Sequence, residues 1–202
     1  MPAPLPDVAS VPGELMLRLR SETAEGHQRT EQLLAIMEPS LTRAGYRAKL
    51  QRLWGFWAPL EERLAAHAVA LGEVGLDFES RRRRGLMEED LRVLGAAFPL
   101  ALPSAQHLPE LPSTAAALGA LYVLEGATLG GQFISKRLGP SLDLSPEHGL
   151  AFFSSGGAPV GPRWNDFKRA LAEHTQTRGQ EDATVASAQE TFRRLALWLA
   201  PD

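Results

Sequence analysis

The chain has 202 residues, enough for one domain that buries a sizeable core and keeps a ligand cleft, and it contains no cysteine. The lack of cysteine excludes disulfide frameworks, thiolate metal sites and thiol nucleophiles, so histidine and carboxylates must carry any metal chemistry. With a net charge of −3, no apolar run near the ~20 residues that span a bilayer and no leader pattern, we expect a cytoplasmic protein without nucleic-acid or membrane partners.

Helical patterns follow a proline-rich start. Residues 1–12 hold four prolines, which predicts a flexible N-terminal tail ahead of a single domain over 13–202. From there on, apolar residues recur every three or four positions and no stretch alternates with period two, so the fold class is all-α. The predicted helices span 14–37, 41–71, 80–97, 114–138, 146–153, 163–177 and 181–199, and the fourth is expected to stop at Gly139 and Pro140.

The first predicted helix carries a histidine in the middle of its apolar stripe. That stripe consists of Met16, Leu19, Thr23, His27, Thr30, Leu34 and Met37, at spacings of three and four. Such a histidine is either a core residue satisfied by a hydrogen bond or an imidazole ligand to a metal or haem iron. Glu31, one turn further on, could hold the free ring nitrogen. Arg20, two turns earlier, could meet an anionic end of a bound ligand.

The fourth predicted helix contains four interior glycines, at positions 119, 126, 130 and 131. Each costs about 1 kcal/mol relative to alanine, so several together indicate a compensating use. One interpretation is close packing of helices over small residues, which Ala115, Ala116, Ala117 and Ala120 also favour. The other is that Gly126 and Gly130, one turn apart, clear one face for a flat ligand while the helix bends at the glycine pair. Both interpretations remain open at this point.

Two segments together resemble the haem oxygenase family, in particular its bacterial members. The segment ETAEGHQRTE is similar to the proximal helix of that family, and LYVLEGATLGGQ is similar to its distal helix. The resemblance implies that His27 binds the haem iron with Glu31 behind it, and that Gly126, Gly130 and Gly131 lie over the haem face. It also implies that Arg20, and Lys168 in the segment WNDFKRAL, face the haem propionates.

The resemblance further implies a fold and an activity. The fold would be a single-domain multi-helix bundle with haem sandwiched between the proximal helix and a kinked distal helix. Haem would be both cofactor and substrate, opened to biliverdin with release of iron and carbon monoxide. The reaction would need O2 and an external electron donor such as a ferredoxin or a reductase, for which the basic residues around Arg81–Arg84 could form a docking surface or merely a solvated face.

One departure affects proton delivery. Many family members carry an aspartate directly after the first distal glycine, and here that position is Ala127. Thr128 and Glu125 are the local side chains that could organise water instead. The departure keeps a second function open, a haem carrier or sensor without turnover. A third alternative is a non-haem enzyme on a related helical scaffold, either thiaminase-like or a dimetal oxidase.

Overall fold

The computed structural model describes residues 13–98 and 102–200, and eight α-helices form its framework within that part. In chain order they are α1 (Glu14–Glu22), α2 (Ala24–Leu34), α3 (Arg43–Ala65), α4 (Ala68–Glu73), α5 (Arg84–Val93), α6 (Thr114–Leu142), α7 (Val160–His174) and α8 (Arg178–Leu199). These ranges contain no β-strand, which confirms the all-α prediction. None of these helices is long and apolar enough to cross a bilayer. The predicted tail over 1–12 lies outside the described residues.

The first predicted helix is two helices. Thr23 separates α1 from α2 with φ −104° and ψ 0°, and its hydroxyl donates to the carbonyl of Leu19 at 2.6 Å. Side-chain bonds of this kind compete with the helical ladder and favour a break. The predicted 41–71 helix likewise divides into α3 and α4 at His67. The side chain of Thr42 caps the start of α3 by accepting from the amide of Gly45.

Two further predicted helices need correction, and at each of them a buried carboxylate accepts hydrogen bonds from backbone amides. The 80–97 helix shrinks to α5, since the side chain of Glu61 accepts the amides of Arg83 at 2.7 Å and Arg84 at 3.2 Å where α5 begins. Residues 146–153 form turns instead of a helix. There, the amides of Ala151 and Phe152 donate to Asp90 and not to helical carbonyls.

The predicted stop of the fourth helix at Gly139 and Pro140 is also wrong. The helix α6 runs on to Leu142, which is buried, and ends at Asp143 with φ +53°. A proline in the last turn removes one helical hydrogen bond, and the burial of Leu142 offsets that loss. The guanidinium of Arg43 caps the end by donating to the carbonyl of Leu142 at 2.6 Å.

Among the described helices, α6 and α8 pack against each other most extensively. A Cβ at Gly119 would overlap the carbonyl of Thr184, so the two backbones approach too closely for any other residue. The hydroxyl of Ser187 donates to the carbonyl of Ala116 at 2.7 Å across the same contact. The first half of α6 therefore uses its small residues for helix packing, as the first of the two interpretations proposed.

A second small residue seats α2 on the same helix. A Cβ at Gly26 would lie 2.8 Å from the Cβ of Phe192, so glycine lets α2 lie directly on α8. The ring of Phe192 then meets the ring of His27 edge-on, with centroids 5.7 Å apart. The orientation of His27 thus follows from packing between α2 and α8.

Candidate functional site

The His27 side chain lies on an open face of the protein. It is 58% exposed, and α2 contains no buried residue. The prediction of a core-facing stripe therefore holds for Leu19 and Thr23, which are buried, but fails at His27, which lies beyond the break between α1 and α2 at Thr23. The interpretation of His27 as a satisfied core histidine is wrong, and the imidazole is accessible to a ligand.

Glu31 is placed beside the inner ring nitrogen of His27. Its Oε2 atom lies 3.6 Å from Nδ1, which is ion-pair distance and slightly beyond a direct hydrogen bond. Both side chains are well exposed, so the pair contributes little to stability. With Nδ1 turned toward a carboxylate, Nε2 is the nitrogen that remains for a ligand.

The distal glycines divide into two kinds. Nothing lies within 4 Å of the position a Cβ would take at Gly126 or at Gly130, so these two leave an open face on α6. Leu129 and Phe133 flank that face and are 43% and 68% exposed. A bare backbone beside exposed apolar side chains is typical of a surface that receives a flat apolar ligand.

Gly131 does not share that face. A Cβ there would lie 2.5 Å from the carbonyl oxygen of Phe153, so this glycine allows a loop to pack closely against α6. The expectation that all three glycines lie over a ligand therefore needs correction for this residue. The helix also continues through the glycine pair without interruption, so any kink is a bend within one helix.

The two candidates for proton delivery are engaged elsewhere. Thr128 is buried, and its hydroxyl donates to the carbonyl of Glu125 at 2.6 Å. The Glu125 carboxylate is buried against Arg81 at 3.1 Å. Ala127 is exposed and supplies no polar side chain. No carboxylate from positions 125–128 thus points freely along the open face.

Two buried arginines, Arg81 and Arg83, contact the inner side of this part of α6. The guanidinium of Arg83 donates to the carbonyl of Leu124 and lies over the rings of Trp57 and Phe152. Burial lowers the pKa of Arg83 to about 10, although the charges of Glu125 and Glu61 oppose that shift. The run Arg81–Arg84 is therefore not a uniform solvated face, because two of its members are buried structural residues.

The two predicted propionate-binding cations lie on helices near Tyr122. Arg20 is exposed on α1, and its charge acts on the Tyr122 hydroxyl. Lys168 is exposed on α7, one turn after Trp164, whose ring centroid is 6.0 Å from that of Tyr122. Neither cation forms an ion pair with any residue in the described ranges. Both remain available for an anionic group.

Tyr122 links the histidine helix to the glycine helix. Burial raises its pKa, against the smaller effects of a hydrogen bond with Thr23 and the charge of Arg20. His27 lies four residues beyond Thr23, and Gly126 lies four residues beyond Tyr122. The imidazole and the glycine face are therefore each one helical turn from the same contact.

These residues fit haem better than a bare metal ion. Within 13–98 and 102–200, no group of three histidine or carboxylate side chains could hold a metal ion. The exposed imidazole of His27, a backbone face without side chains and two unpaired cations instead suit an iron porphyrin with two carboxylates.

Sequence reasoning missed the residues that support this site. Phe192 backs His27 from α8, and Gly26 makes that contact possible. No periodicity in the sequence links positions so far apart. Tyr122 had a usable signal, because it stands one turn before Gly126 on the same helix face.

Comparison with known proteins finds one family. A model of the family described as "Heme oxygenase" matches residues 13–200. The chain is 34% identical over 161 residues to the heme oxygenase of Xanthomonas campestris pv. campestris (strain 8004), covering 78% of this chain and 90% of that protein. It is 30% identical over 179 residues to heme oxygenase PigA of Pseudomonas aeruginosa, covering 88% and 87%.

Solved structures share the fold at lower identity. The NO- and CO-bound heme oxygenase of Neisseria meningitidis matches with a TM-score of 0.74 and 24% identity, over 92% of this chain and 89% of that one. The heme oxygenase-1 of the cyanobacterium Synechocystis, solved in complex with heme, matches with a TM-score of 0.73 and 16% identity, over 92% and 90%. The family model and the two relatives cover most of the chain, so this protein belongs to the haem oxygenase family.

Proposed function

We propose that this chain binds haem between α2 and α6 and opens it oxidatively to biliverdin, with release of iron and carbon monoxide. The observation that carries the proposal is the pairing of one exposed imidazole, His27, with a face of α6 that is bare at Gly126 and Gly130. In this family the haem supplies the chemistry that activates oxygen. The protein supplies ligation, orientation and access.

In this proposal each helix has a separate task. Nε2 of His27 would hold the iron, while Glu31 acts on Nδ1 directly or through water and Phe192 restrains the ring from α8. Gly126 and Gly130 would let the backbone of α6 approach the haem without blocking it, and the exposed side chains of Leu129 and Phe133 would contact the porphyrin.

The reaction also needs an oxidant, electrons and protons. We propose O2 as the oxidant and an external donor such as a ferredoxin or a reductase as the source of electrons. Because Glu125 and Thr128 are engaged behind α6, protons reach the site through water along the exposed face.

Turnover with a reductant separates this proposal from a haem carrier. We expect purified protein with one equivalent of haemin to lose its Soret absorption when ferredoxin with its reductase, or ascorbate, is supplied in air. A bilin band should replace the Soret band, and carbon monoxide should be released, even though position 127 is alanine. Haem that stays intact through repeated additions of reductant would instead support a carrier or sensor.

The two cations should decide how the haem is rotated in its pocket. We expect the α-meso opening that gives biliverdin IXα, because Arg20 and Lys168 approach the Tyr122 region from two different helices. Removing both by Arg20→Ala and Lys168→Ala should weaken the preferred orientation by about 1 to 3 kcal/mol, the worth of charge-assisted hydrogen bonds. Chromatography of the bilin products should then show more than one isomer.

A neighbouring arginine provides the control for this experiment. Arg169 follows Lys168 on α7 but is already paired with Asp166 at 2.8 Å. Arg169→Ala should leave the product a single isomer. If the double variant also gives one isomer at unchanged haemin affinity, Arg20 and Lys168 do not bind the propionates.

A further inference from the structure

A buried carboxylate on α5 binds the backbone of a distant loop. Asp90 is 0% exposed, and its two oxygens accept hydrogen bonds from the amides of Ala151 and Phe152, both at 2.8 Å. Burial, with a smaller contribution from the charge of Glu89, raises its pKa to about 6 despite these bonds. Above that pH the carboxylate is ionised in the interior beside a like charge, which costs free energy that the hydrogen bonds from the two amides offset in part.

The loop that Asp90 binds, residues 150–157, is strained at its far end. Ser155, Gly156 and Gly157 have φ values of +58°, +59° and +78°, and serine rarely adopts such a conformation. Ser155 is buried, and its hydroxyl has no hydrogen-bond partner in the described part of the chain. A segment with these features keeps its shape only when the structure around it holds it in place.

The same loop is in contact with α6 directly beside the open glycine face. The carbonyl of Phe153 occupies the space that the missing Cβ of Gly131 leaves free. The side-chain amide of Gln132 donates to the carbonyl of Ser154 at 3.2 Å. Gly131 and Gln132 immediately follow Gly130 in α6. Asp90 therefore reaches the glycine face through the loop, because it binds the amides of residues 151 and 152 while the carbonyls of residues 153 and 154 contact α6.

We propose that Asp90 is a positioning residue for the distal helix, which fixes through the 150–157 loop where Gly126 and Gly130 stand over the haem. This inference rests on the proposed function, because it concerns the face that receives the haem. If so, Asp90 influences which meso carbon of the haem is opened, although its carboxylate is in contact with neither the haem site nor His27.

The first test uses the haem-free protein. Asp90→Asn keeps the side-chain shape but turns an NH2 group toward one of the two backbone amides, which then loses its acceptor. We expect amide hydrogen exchange in peptides covering 130–135 and 150–157 to accelerate at least about tenfold, the effect of losing one hydrogen bond to a charged group. Exchange in α8 should stay at the wild-type rate.

Glu181 offers a matched control. It is another buried carboxylate, 1% exposed, but it lies on α8 and pairs with Arg18 at 3.6 Å and Arg178 at 3.5 Å. Glu181→Gln should leave exchange in 130–135 unchanged. Equal acceleration in both variants would mean that Asp90 only adds general stability, and the proposal would be overturned.

The second test measures product isomers in a double-mutant cycle. Gln132→Met removes the hydrogen bond between α6 and Ser154 of the loop without touching the buried carboxylate, so it also serves if Asp90→Asn folds poorly. Each single variant should yield a mixture of biliverdin isomers, and the double variant should be no more mixed than either, since both act through one loop. A single unchanged isomer in both single variants would overturn the proposal.

The two tests separate this inference from the proposed function. If the wild-type protein with haemin and reductant forms no bilin, the proposed function fails, and hydrogen exchange alone decides whether Asp90 holds α6. If bilin forms normally but exchange at 130–135 does not respond to Asp90→Asn, the function stands and the positioning role of Asp90 falls.

Discussion

Replacing His27 with alanine should abolish imidazole ligation of the haem iron. His27 is an exposed histidine one turn from the contact between Thr23 and Tyr122, and its Nδ1 faces Glu31, which leaves Nε2 for the iron. Mutation of a residue that only hydrogen-bonds to a metal ligand lowers metal affinity about 10- to 100-fold. We therefore expect His27→Ala, which removes the ligand itself, to weaken haemin binding by at least that much. The absorption spectrum of the haemin complex should lose its imidazole-ligated form, and bilin formation should cease.

A second histidine and a free ligand make this experiment specific. His107 is also exposed but lies in the connector before α6, so His107→Ala should leave the spectrum unchanged. Free imidazole added to His27→Ala should restore part of the ligated spectrum, because the exposed position of the lost side chain is then open to a small ligand. A wild-type spectrum in His27→Ala would show that another group ligates the iron.

The second large effect concerns Gly130, where folding and function should respond in opposite directions. A Cβ there meets no atom within 4 Å, so Gly130→Ala should raise the free energy of unfolding of the haem-free protein by about 0.5 to 1 kcal/mol. Gly130→Leu should fill the space above the haem and strongly reduce haemin affinity or bilin formation. Urea denaturation and haemin titration measure the two effects.

The adjacent glycine should behave in the reverse way. Gly131→Ala would bring a methyl group to 2.5 Å from the carbonyl of Phe153, so it should destabilise the haem-free protein by about 1 to 3 kcal/mol through overpacking. If Gly130→Leu leaves haemin affinity and turnover as they are in the wild type, Gly130 does not face the haem.

The sequence by itself determined the helical class and the two segments that identify the family. Both are local properties, because apolar spacing, the ETAEGHQRTE segment and the LEGATLGGQ segment lie within single helices. The positions of α7 and α8 followed from the same periodicity. Even the glycines of α6 could be recognised as unusual from their cost within one helix.

Tertiary structure decided which way those residues point. Gly126, Gly130 and Gly131 are alike in sequence, yet only the loop at Phe153 separates the two open positions from the packed one. The exposure of His27 depends on the break at Thr23 and on Phe192 of α8, far away in the chain. Asp90 carries no local signal, because its two hydrogen-bond donors lie 61 and 62 residues further on. Contacts at such separations depend on how helices pack, which no local pattern encodes.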